Sequence, residues 1–177
     1  LLTLMGAMMR QARAETVPEF ISSMQGRINA LARVQSRLAR DHWDQTDLAR
    51  LIDEELAPFA KDIGGRFRIV GPDLPLGPDA AQALAITIHE LATNAIKYGS
   101  LSVPAGRVAV EWAIGGEQLT LSWTETGGPA THKPSREGFG TRAIAVLSQR
   151  LWGTVSTDWR PQGLVCTLAI PMQSLAD

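Results

Sequence analysis

His89-Glu-Leu-Ala-Thr-Asn-Ala-Ile-Lys-Tyr-Gly99 is the most informative stretch of this 177-residue sequence. A helical period places Glu90, Asn94 and Lys97 on one face, at i, i+4 and i+7. Apolar residues occupy another face, so one side of the helix should pack while the other presents oxygen and ammonium groups. The apolar set is Leu84, Ile88, Leu91 and Ala95. Oxygen ligands suit Mg²⁺ and lysine suits phosphate, so the polar strip is a candidate Mg²⁺–polyphosphate site, the alternative being an ordinary solvent-facing stripe.

The composition is that of a globular chain without a strong charge. Hydrophobic residues make up 45% and charged residues 20%, and the formal net charge is −1. A nearly neutral chain has no field that favours nucleic acid, so no nucleic-acid partner is expected. No apolar run approaches the roughly 18–20 residues of a bilayer span, so no membrane span is expected. The single cysteine, Cys166, lies in an apolar run, which agrees with a reducing, cytoplasmic location.

Residues 1–43 are predicted to form a helical hairpin. The apolar run at 1–9 lacks the basic leader of a signal peptide and is interpreted as a helix buried in a bundle, within a longer protein. The segment Thr16-Val-Pro-Glu19 carries the cap, the proline and the glutamate that typically begin a helix. Apolar positions then recur at three- and four-residue spacing with one polar member. They are Ile21, Met24, Ile28, Leu31, Gln35 and Leu38.

This seam fits two arrangements equally well. It can pack against a second copy of the chain, or against the globular part of its own chain. The arginines of the same helix are expected to form a solvated face. They are Arg27, Arg33, Arg37 and Arg40. Residues 41–45 interrupt the helical pattern, and we place a domain boundary after residue 43.

Residues 44–177 alternate between helical and strand patterns. Helices are predicted over residues 47–59, 78–99 and 141–152, and strands over 66–70, 107–114, 118–125, 154–159 and 164–170. Gly115-Gly116 and Pro161-Gln-Gly163 mark two hairpin turns. Helices interleaved with mostly antiparallel strands define an α+β chain, with a two-layer α/β sandwich after the hairpin.

Two glycine clusters flank the loop that follows the second strand of the first predicted hairpin. They are Trp123-Thr-Glu-Thr-Gly-Gly-Pro129 and Gly138-Phe-Gly-Thr-Arg142. A helix that begins at Gly140-Thr141 presents free N–H groups and a positive dipole end, which suit phosphate. The polar residues 130–137 between the clusters could fold over a nucleotide as a lid. A long surface loop with turn glycines is the alternative for either cluster alone.

The order of these motifs resembles the ATP-binding fold shared by type II topoisomerases, Hsp90-type chaperones, MutL-type repair proteins and sensor histidine kinases (the GHKL, or Bergerat, superfamily). Within that group the sequence most resembles the HWE-type histidine kinases. Their diagnostic residues are a histidine in the asparagine motif and a Trp-x-Glu in the first glycine motif, which here are His89, Trp123 and Glu125. The resemblance implies an enzyme that uses ATP and Mg²⁺ to phosphorylate a histidine, from which an aspartate of a response-regulator receiver domain takes the phosphoryl group.

The resemblance also implies a nucleotide site. Asn94 would coordinate Mg²⁺ on the ATP phosphates, and Lys97 would contact phosphate. Tyr98 would lie near the adenine or ribose, and Glu125 would stand where the fold places an acidic partner for the adenine amino group. Four residues of the glycine motifs would complete the site: Gly127, Gly138, Gly140 and Thr141.

Two residues are implied to take part in catalysis. Glu90 matches the general base of the related ATPases, and in a kinase it could instead polarise the attacking imidazole. His89 falls about 100° away from the ligand strip by helical geometry, so it could act beside Glu90 or pack. We expect Trp123 to pack beneath the nucleotide pocket rather than to contact the nucleotide.

In the HWE-type kinases the hairpin forms a dimeric four-helix bundle that carries the phosphoacceptor histidine. The family's acceptor motif should precede a Leu-Leu pair, and Leu1-Leu2 stands at that place. No histidine precedes His42, so the acceptor is expected upstream of this sequence, the alternative being a protein that naturally lacks this histidine. Two alternatives stay open: a non-kinase ATPase of the same superfamily, and a catalytically silent dimeric signalling adaptor.

Overall fold

The computed structural model describes residues 17–40, 46–63, 65–132 and 139–176. Within these ranges there are four α-helices: α1 (Val17–Arg40), α2 (Leu48–Ile63), α3 (Pro78–Lys97) and α4 (Phe139–Arg150). Two short 3₁₀ helices cover Ser100–Ser102 and Met172–Leu175. None of the helices described is both long and apolar enough to cross a bilayer.

Seven strands accompany the helices in the described part of the chain. They are β1 (Thr46–Asp47), β2 (Phe67–Val70), β3 (Pro75–Leu76), β4 (Arg107–Gly115), β5 (Gln118–Thr126), β6 (Thr154–Arg160) and β7 (Gly163–Pro171). Five of them form one sheet in the order β2-β4-β5-β7-β6, while β1 pairs separately with β3. Only β2 and β4 run parallel; the other neighbours in the five-stranded sheet are antiparallel.

One face of the sheet is apolar because side chains alternate along each strand. Val108, Val110 and Trp112 are buried on β4, while residues between them are more exposed. On β5 the buried set is Leu119, Leu121, Trp123 and Glu125. The apolar residues among these and the apolar sides of the helices belong to one core cluster. The predicted two-layer α+β fold is thereby confirmed.

Helix α3 lies at the centre of the helical layer, where α1, α2 and α4 all pack against it. Its predicted apolar face is buried: Leu84, Ile88, Leu91 and Ala95. The helix spans 20 residues with a proline at its first turn, as predicted. The polar residues in the buried part of α3, such as Glu90, are therefore surrounded by other elements of the fold.

Helix α1 packs against α3 of the same chain. Met24 and Leu31 of the predicted seam are buried, whereas Ile21 and Ile28 are 48% and 43% exposed. Two of these four seam residues therefore pack within the chain, and the other two face solvent. The side chains of Gln35 and Leu38, and the first predicted helix, lie outside the described residues.

The expectation of a solvated arginine face is wrong for the two arginines that the structure describes in detail. Arg27 is 1% exposed and forms an ion pair with Glu90 of α3. Arg33 pairs with the buried Glu55 of α2. The side chains of Arg37 and Arg40 are outside the described set. Helical periodicity identified an amphipathic helix but could not tell that arginines would meet carboxylates on its packed side.

The predicted element boundaries differ from the structure by a few residues. Helix α2 continues past residue 59 to Ile63, and α4 begins at Phe139 and ends at Arg150, two residues earlier than predicted at each end. The turn that follows α4 holds Trp152 at a φ of 54°, which ends the helix. Residues 41–45, where the domain boundary was placed, are not among those described, so that boundary stays a prediction.

Candidate functional site

The end of α3 brings the asparagine motif and the first glycine motif together. The backbone carbonyl oxygen of Asn94 accepts hydrogen bonds from the backbone N–H groups of Tyr98 and Gly99, at 2.8 and 3.0 Å, which close the last turn of α3. A Cβ atom on Gly99 would overlap the carboxylate of Glu125. Since Gly99 has a φ of −104°, a glycine is needed here for close approach and not for a left-handed backbone. The Glu125 carboxylate therefore lies against the backbone segment that ends the helix of the half-buried Asn94.

The Glu125 carboxylate is buried at the end of β5 and is only 2% exposed. Its Oε2 accepts a hydrogen bond from the backbone N–H of Ser100 at 2.7 Å, and its Oε1 accepts one from Nε1 of Trp123 at 3.2 Å. Burial raises the pKa of Glu125, while these two hydrogen bonds act in the opposite direction. Each oxygen of the Glu125 carboxylate is therefore held in place by one hydrogen bond.

The first glycine motif folds back onto the loop that follows α3. Gly127 has a φ of 70°, a left-handed conformation that favours glycine. A Cβ there would lie 2.8 Å from the carbonyl oxygen of Ala105, and one on Gly128 would overlap Ser100. The absence of a side chain at both glycines therefore allows residues 99–106 to pack against the end of β5, beside Glu125.

The first turn of α4 points away from the start of α3, towards the C-terminal half of that helix. Arg150, at the end of α4, pairs with Asp79 at the start of α3 at 2.8 Å, so the two packed helices run antiparallel. From Arg150 the helix extends about 15 Å back to Gly140, by its rise per residue. Gly140 and the half-buried Thr141 lie in that first turn, while Gly138 falls outside the described residues.

The predicted polar strip of α3 changes from buried to exposed along its length. Lys97 is exposed and Tyr98 is 72% exposed, so both can reach a ligand at the end of the helix. Glu90 differs, because it is 6% exposed and its Oε1 receives the Arg27 guanidinium at 2.6 Å. The expectation that all three polar residues share one open strip is therefore wrong at Glu90, which lies under α1.

His89 is also covered by α1. Its ring contacts Phe59 of α2 at a centroid distance of 5.7 Å. A Cβ on Gly26 of α1 would lie 2.5 Å from its Nε2. Burial lowers the pKa of His89 from its usual 6.5, with the positive charges of Arg33, Arg27 and Lys97 adding to the effect and Glu90 opposing it. His89 and Glu90 thus lie beneath the same helix.

Three residues of this region were not identified from the sequence. Arg27 was expected in solvent, Gly26 carried no recognised signal, and Ser100 was not considered beyond the helix stop before it. Gly26 and Arg27 are adjacent on α1 and contact adjacent residues of α3. A glycine inside a predicted helix is the one signal that could have pointed to a close helix contact, since glycine is unfavourable there.

The geometry has counterparts among solved structures. The histidine kinase domain of the blue-light activated histidine kinase EL346 from Erythrobacter litoralis superimposes with a TM-score of 0.71 at 15% identity, over 98% of this chain and 95% of that one. The fold is therefore that of a histidine kinase domain.

Sequence comparison defines the family. The model of the HWE histidine kinases matches residues 1–73. The chain is 36% identical to a blue-light-activated histidine kinase of Brucella anthropi, over 82% of this chain and 31% of that protein. It is 35% identical to blue-light-activated histidine kinase 1 of Erythrobacter litoralis, over 90% of this chain and 46% of that protein. The chain belongs to the HWE histidine kinases, as its motifs predicted, and it spans less than half the length of these two relatives.

Proposed function

We propose that this chain binds Mg-ATP between the C-terminal half of α3, the first turn of α4 and Glu125, and that the whole protein transfers the γ-phosphoryl group to a histidine. The observation that carries the proposal is that the asparagine motif ends at Gly99 directly against the Glu125 carboxylate, while the first turn of the antiparallel α4 is directed towards the C-terminal half of α3. Family membership supports the kinase class.

The groups present fit Mg-ATP chemically. Asn94 offers an amide oxygen for Mg²⁺, and the exposed Lys97 offers a positive charge for phosphate. Free N–H groups at the first turn of α4, around Gly140 and Thr141, suit the phosphates, with Gly138 assigned to the same loop. When bound, Mg²⁺ supplies positive charge that neutralises the phosphate oxygens.

The base would lie at the other side of the site. The Glu125 carboxylate would accept a hydrogen bond from the adenine amino group, and Gly127 would allow the base to approach. The exposed Tyr98 would lie near the adenine or ribose. Glu125 comes from β5 and Tyr98 from the end of α3, so the base would bridge the two layers of the fold.

Transfer of the phosphoryl group needs a deprotonated nitrogen on the acceptor imidazole. We propose that Glu90 polarises this imidazole and that His89 supports Glu90. The acceptor would come from the preceding helical hairpin, with residues 1–43 as its part in this chain and residues 44–177 as the ATP-binding domain. The hairpin would form the homodimer, a receiver domain would take the phosphoryl group onto aspartate, and the protein would act in the cytoplasm.

The decisive experiment incubates the full-length protein with Mg²⁺ and ATP labelled at the γ-position. We expect an acid-labile label on a histidine. Asn94→Ala should abolish this label and should weaken ATP binding by the 177-residue chain at least about tenfold in calorimetry, because a metal ligand is lost.

The matched control is Asn29→Ala, the same change at an exposed position of α1. It should leave both labelling and ATP binding intact. A correctly folded wild-type chain that binds no adenine nucleotide in the presence of Mg²⁺ would contradict the proposed function.

A further inference from the structure

Two hydrogen-bond donors converge on the Glu125 carboxylate. The Ser100 N–H binds Oε2 and the Trp123 indole N–H binds Oε1. Trp123 and Glu125 are 0% and 2% exposed. Since residues i and i+2 of a strand lie on the same face, the Trp-x-Glu spacing itself brings the indole beside the carboxylate. The side chains therefore form one buried hydrogen-bonded unit with the start of the 3₁₀ helix.

The surroundings leave this unit little freedom. Gly99 has no side chain, and a Cβ there would overlap Oε2. Ser100 is itself held, because its hydroxyl donates to the carbonyl oxygen of Arg107 on β4 at 3.1 Å. The Ser100 N–H thus has a fixed direction, and the carboxylate cannot rotate without losing a hydrogen bond in a buried site.

The charge state of Glu125 depends on these donors. Burial favours the neutral acid and raises its pKa, whereas the hydrogen bonds from Ser100 and Trp123 favour the carboxylate. The titratable group that faces Glu125 from β7 is Cys166, and burial raises the pKa of its thiol to about 11, so it stays uncharged near neutral pH. The two donors therefore fix the orientation of the Glu125 carboxylate and favour its ionised form, which accepts hydrogen bonds.

We propose that Trp123 and the Ser100 N–H are positioning groups that hold Glu125 as a fixed acceptor, so that the site selects purines with an amino group at position 6 over purines with an oxo group there. This inference rests on the proposed function. The two donors favour the ionised form of Glu125, and an ionised carboxylate offers a ligand only acceptor lone pairs. A 6-amino group donates to them, whereas a 6-oxo oxygen is repelled.

The test compares the binding of ATP and inosine triphosphate (ITP), which differ at this position, to the chain with Mg²⁺ in calorimetry. Trp123→Phe removes the indole N–H and keeps an aromatic ring. We expect the ratio of the ITP Kd to the ATP Kd to fall roughly five- to tenfold, mainly through weaker ATP binding, because a buried oxygen loses its donor.

Trp112→Phe is the matched control. Trp112 lies on the neighbouring strand β4, is 5% exposed, and its indole donates to the carbonyl oxygen of Pro72 at 2.8 Å. The substitution removes the same kind of hydrogen bond from a buried tryptophan outside the unit. We expect it to lower stability while leaving the ITP to ATP ratio unchanged.

A second measurement needs no variant, and it keeps the test decisive should Trp123→Phe fail to fold. Protonation of Glu125 turns one of its oxygens into a donor, so the wild-type ITP to ATP ratio should fall towards one as the pH is lowered through the pKa of Glu125. Titration of the triphosphate cancels in this ratio, because both nucleotides share that group.

Two results would overturn the inference. One is an unchanged ITP to ATP ratio in a folded Trp123→Phe variant, which would mean that the indole only packs. The other is a wild-type ratio near one at neutral pH. ATP binding in either case would leave the proposed function standing, whereas a folded chain that binds neither nucleotide would contradict the proposed function itself.

Discussion

Glu90 is buried within α3, and a guanidinium from another helix balances its charge. Arg27 and Glu90 are 1% and 6% exposed, and their side chains meet at 2.6 Å. Removing a carboxylate from water costs several kcal/mol unless a charged partner offsets the loss. Arg27 therefore stabilises the buried Glu90 carboxylate, although the two residues are far apart in sequence.

Loss of Arg27 should destabilise the fold strongly. Arg27→Met keeps an apolar side chain of similar length but leaves the Glu90 charge buried without this partner. We expect the free energy of unfolding, measured with urea, to fall by about 3–5 kcal/mol.

The control for this prediction is Arg160→Met. Arg160 pairs with Asp158 on β6, where the two side chains are 56% and 60% exposed, so its loss should cost less than about 1 kcal/mol. Equal losses at the two arginines would show that the Arg27–Glu90 pair is open to solvent.

At the scale of elements, α1 and α3 are joined by more than apolar packing. Gly26 allows α1 to approach the His89 ring, and Arg33 extends the contact to Glu55 of α2. Glycine in a helix interior costs about 1 kcal/mol relative to alanine, so its presence at this contact has a steric reason. While α1 is packed this way, Arg27 holds the Glu90 carboxylate.

Gly26→Ala should loosen α1 although it improves the intrinsic helix propensity by about 1 kcal/mol. The new Cβ would lie 2.5 Å from Nε2 of His89, so α1 must move away from α3. We expect the amides of α1 to exchange with deuterium faster than in the wild type, with the exchange of the sheet unchanged.

Asn29→Ala serves as the control, since it also favours helix but lies at an exposed position of α1. Its α1 amides should exchange at the wild-type rate or more slowly. Slower exchange in Gly26→Ala as well would contradict the close contact with His89.

At the scale of the whole molecule, one hydrophobic cluster connects the four described α-helices and joins them to the sheet. Its members include Leu31 of α1, Leu51 of α2, Ile88 of α3, Leu147 of α4 and Leu121 of β5. A group that titrates between α1 and α3 therefore affects the stability of the whole core, and His89 is such a group.

Acidification should destabilise the protein through His89. Burial lowers its pKa in the folded state below 6.5, so the unfolded state binds more protons between the two pKa values. The stability that neutral His89 contributes is present above pH 6.5 and is lost as the pH falls through the folded-state pKa. We expect the free energy of unfolding to decrease from about pH 7.5 to about pH 5.5, and this slope to be smaller in His89→Leu.

His132→Leu provides the comparison, because His132 is an exposed histidine after β5. It should retain the wild-type slope. The raised pKa of Glu125 acts in the opposite sense, since its contribution is lost as the pH rises, and it is common to all three proteins. An identical slope in His89→Leu and the wild type would contradict the burial of His89.

Local pattern determined most of the secondary structure and the family. The helical period predicted α3 and its buried face, alternation with Gly116 in the turn predicted the hairpin of β4 and β5, and His89, Trp123 and Glu125 marked the HWE kinases. These features could be predicted because backbone hydrogen bonds and side-chain periods depend on residues a few positions apart. The two-residue strands β1 and β3 carry too few residues for such a period.

Tertiary structure alone decided the surroundings of the polar residues. Arg27 and Glu90 are separated by 63 positions, and Ser100 and Glu125 by 25. Which carboxylate meets a guanidinium, and which meets a backbone N–H, depends on how the helices dock and where β5 ends. No local period encodes that docking, because its free energy comes from burying surfaces that are distant along the chain.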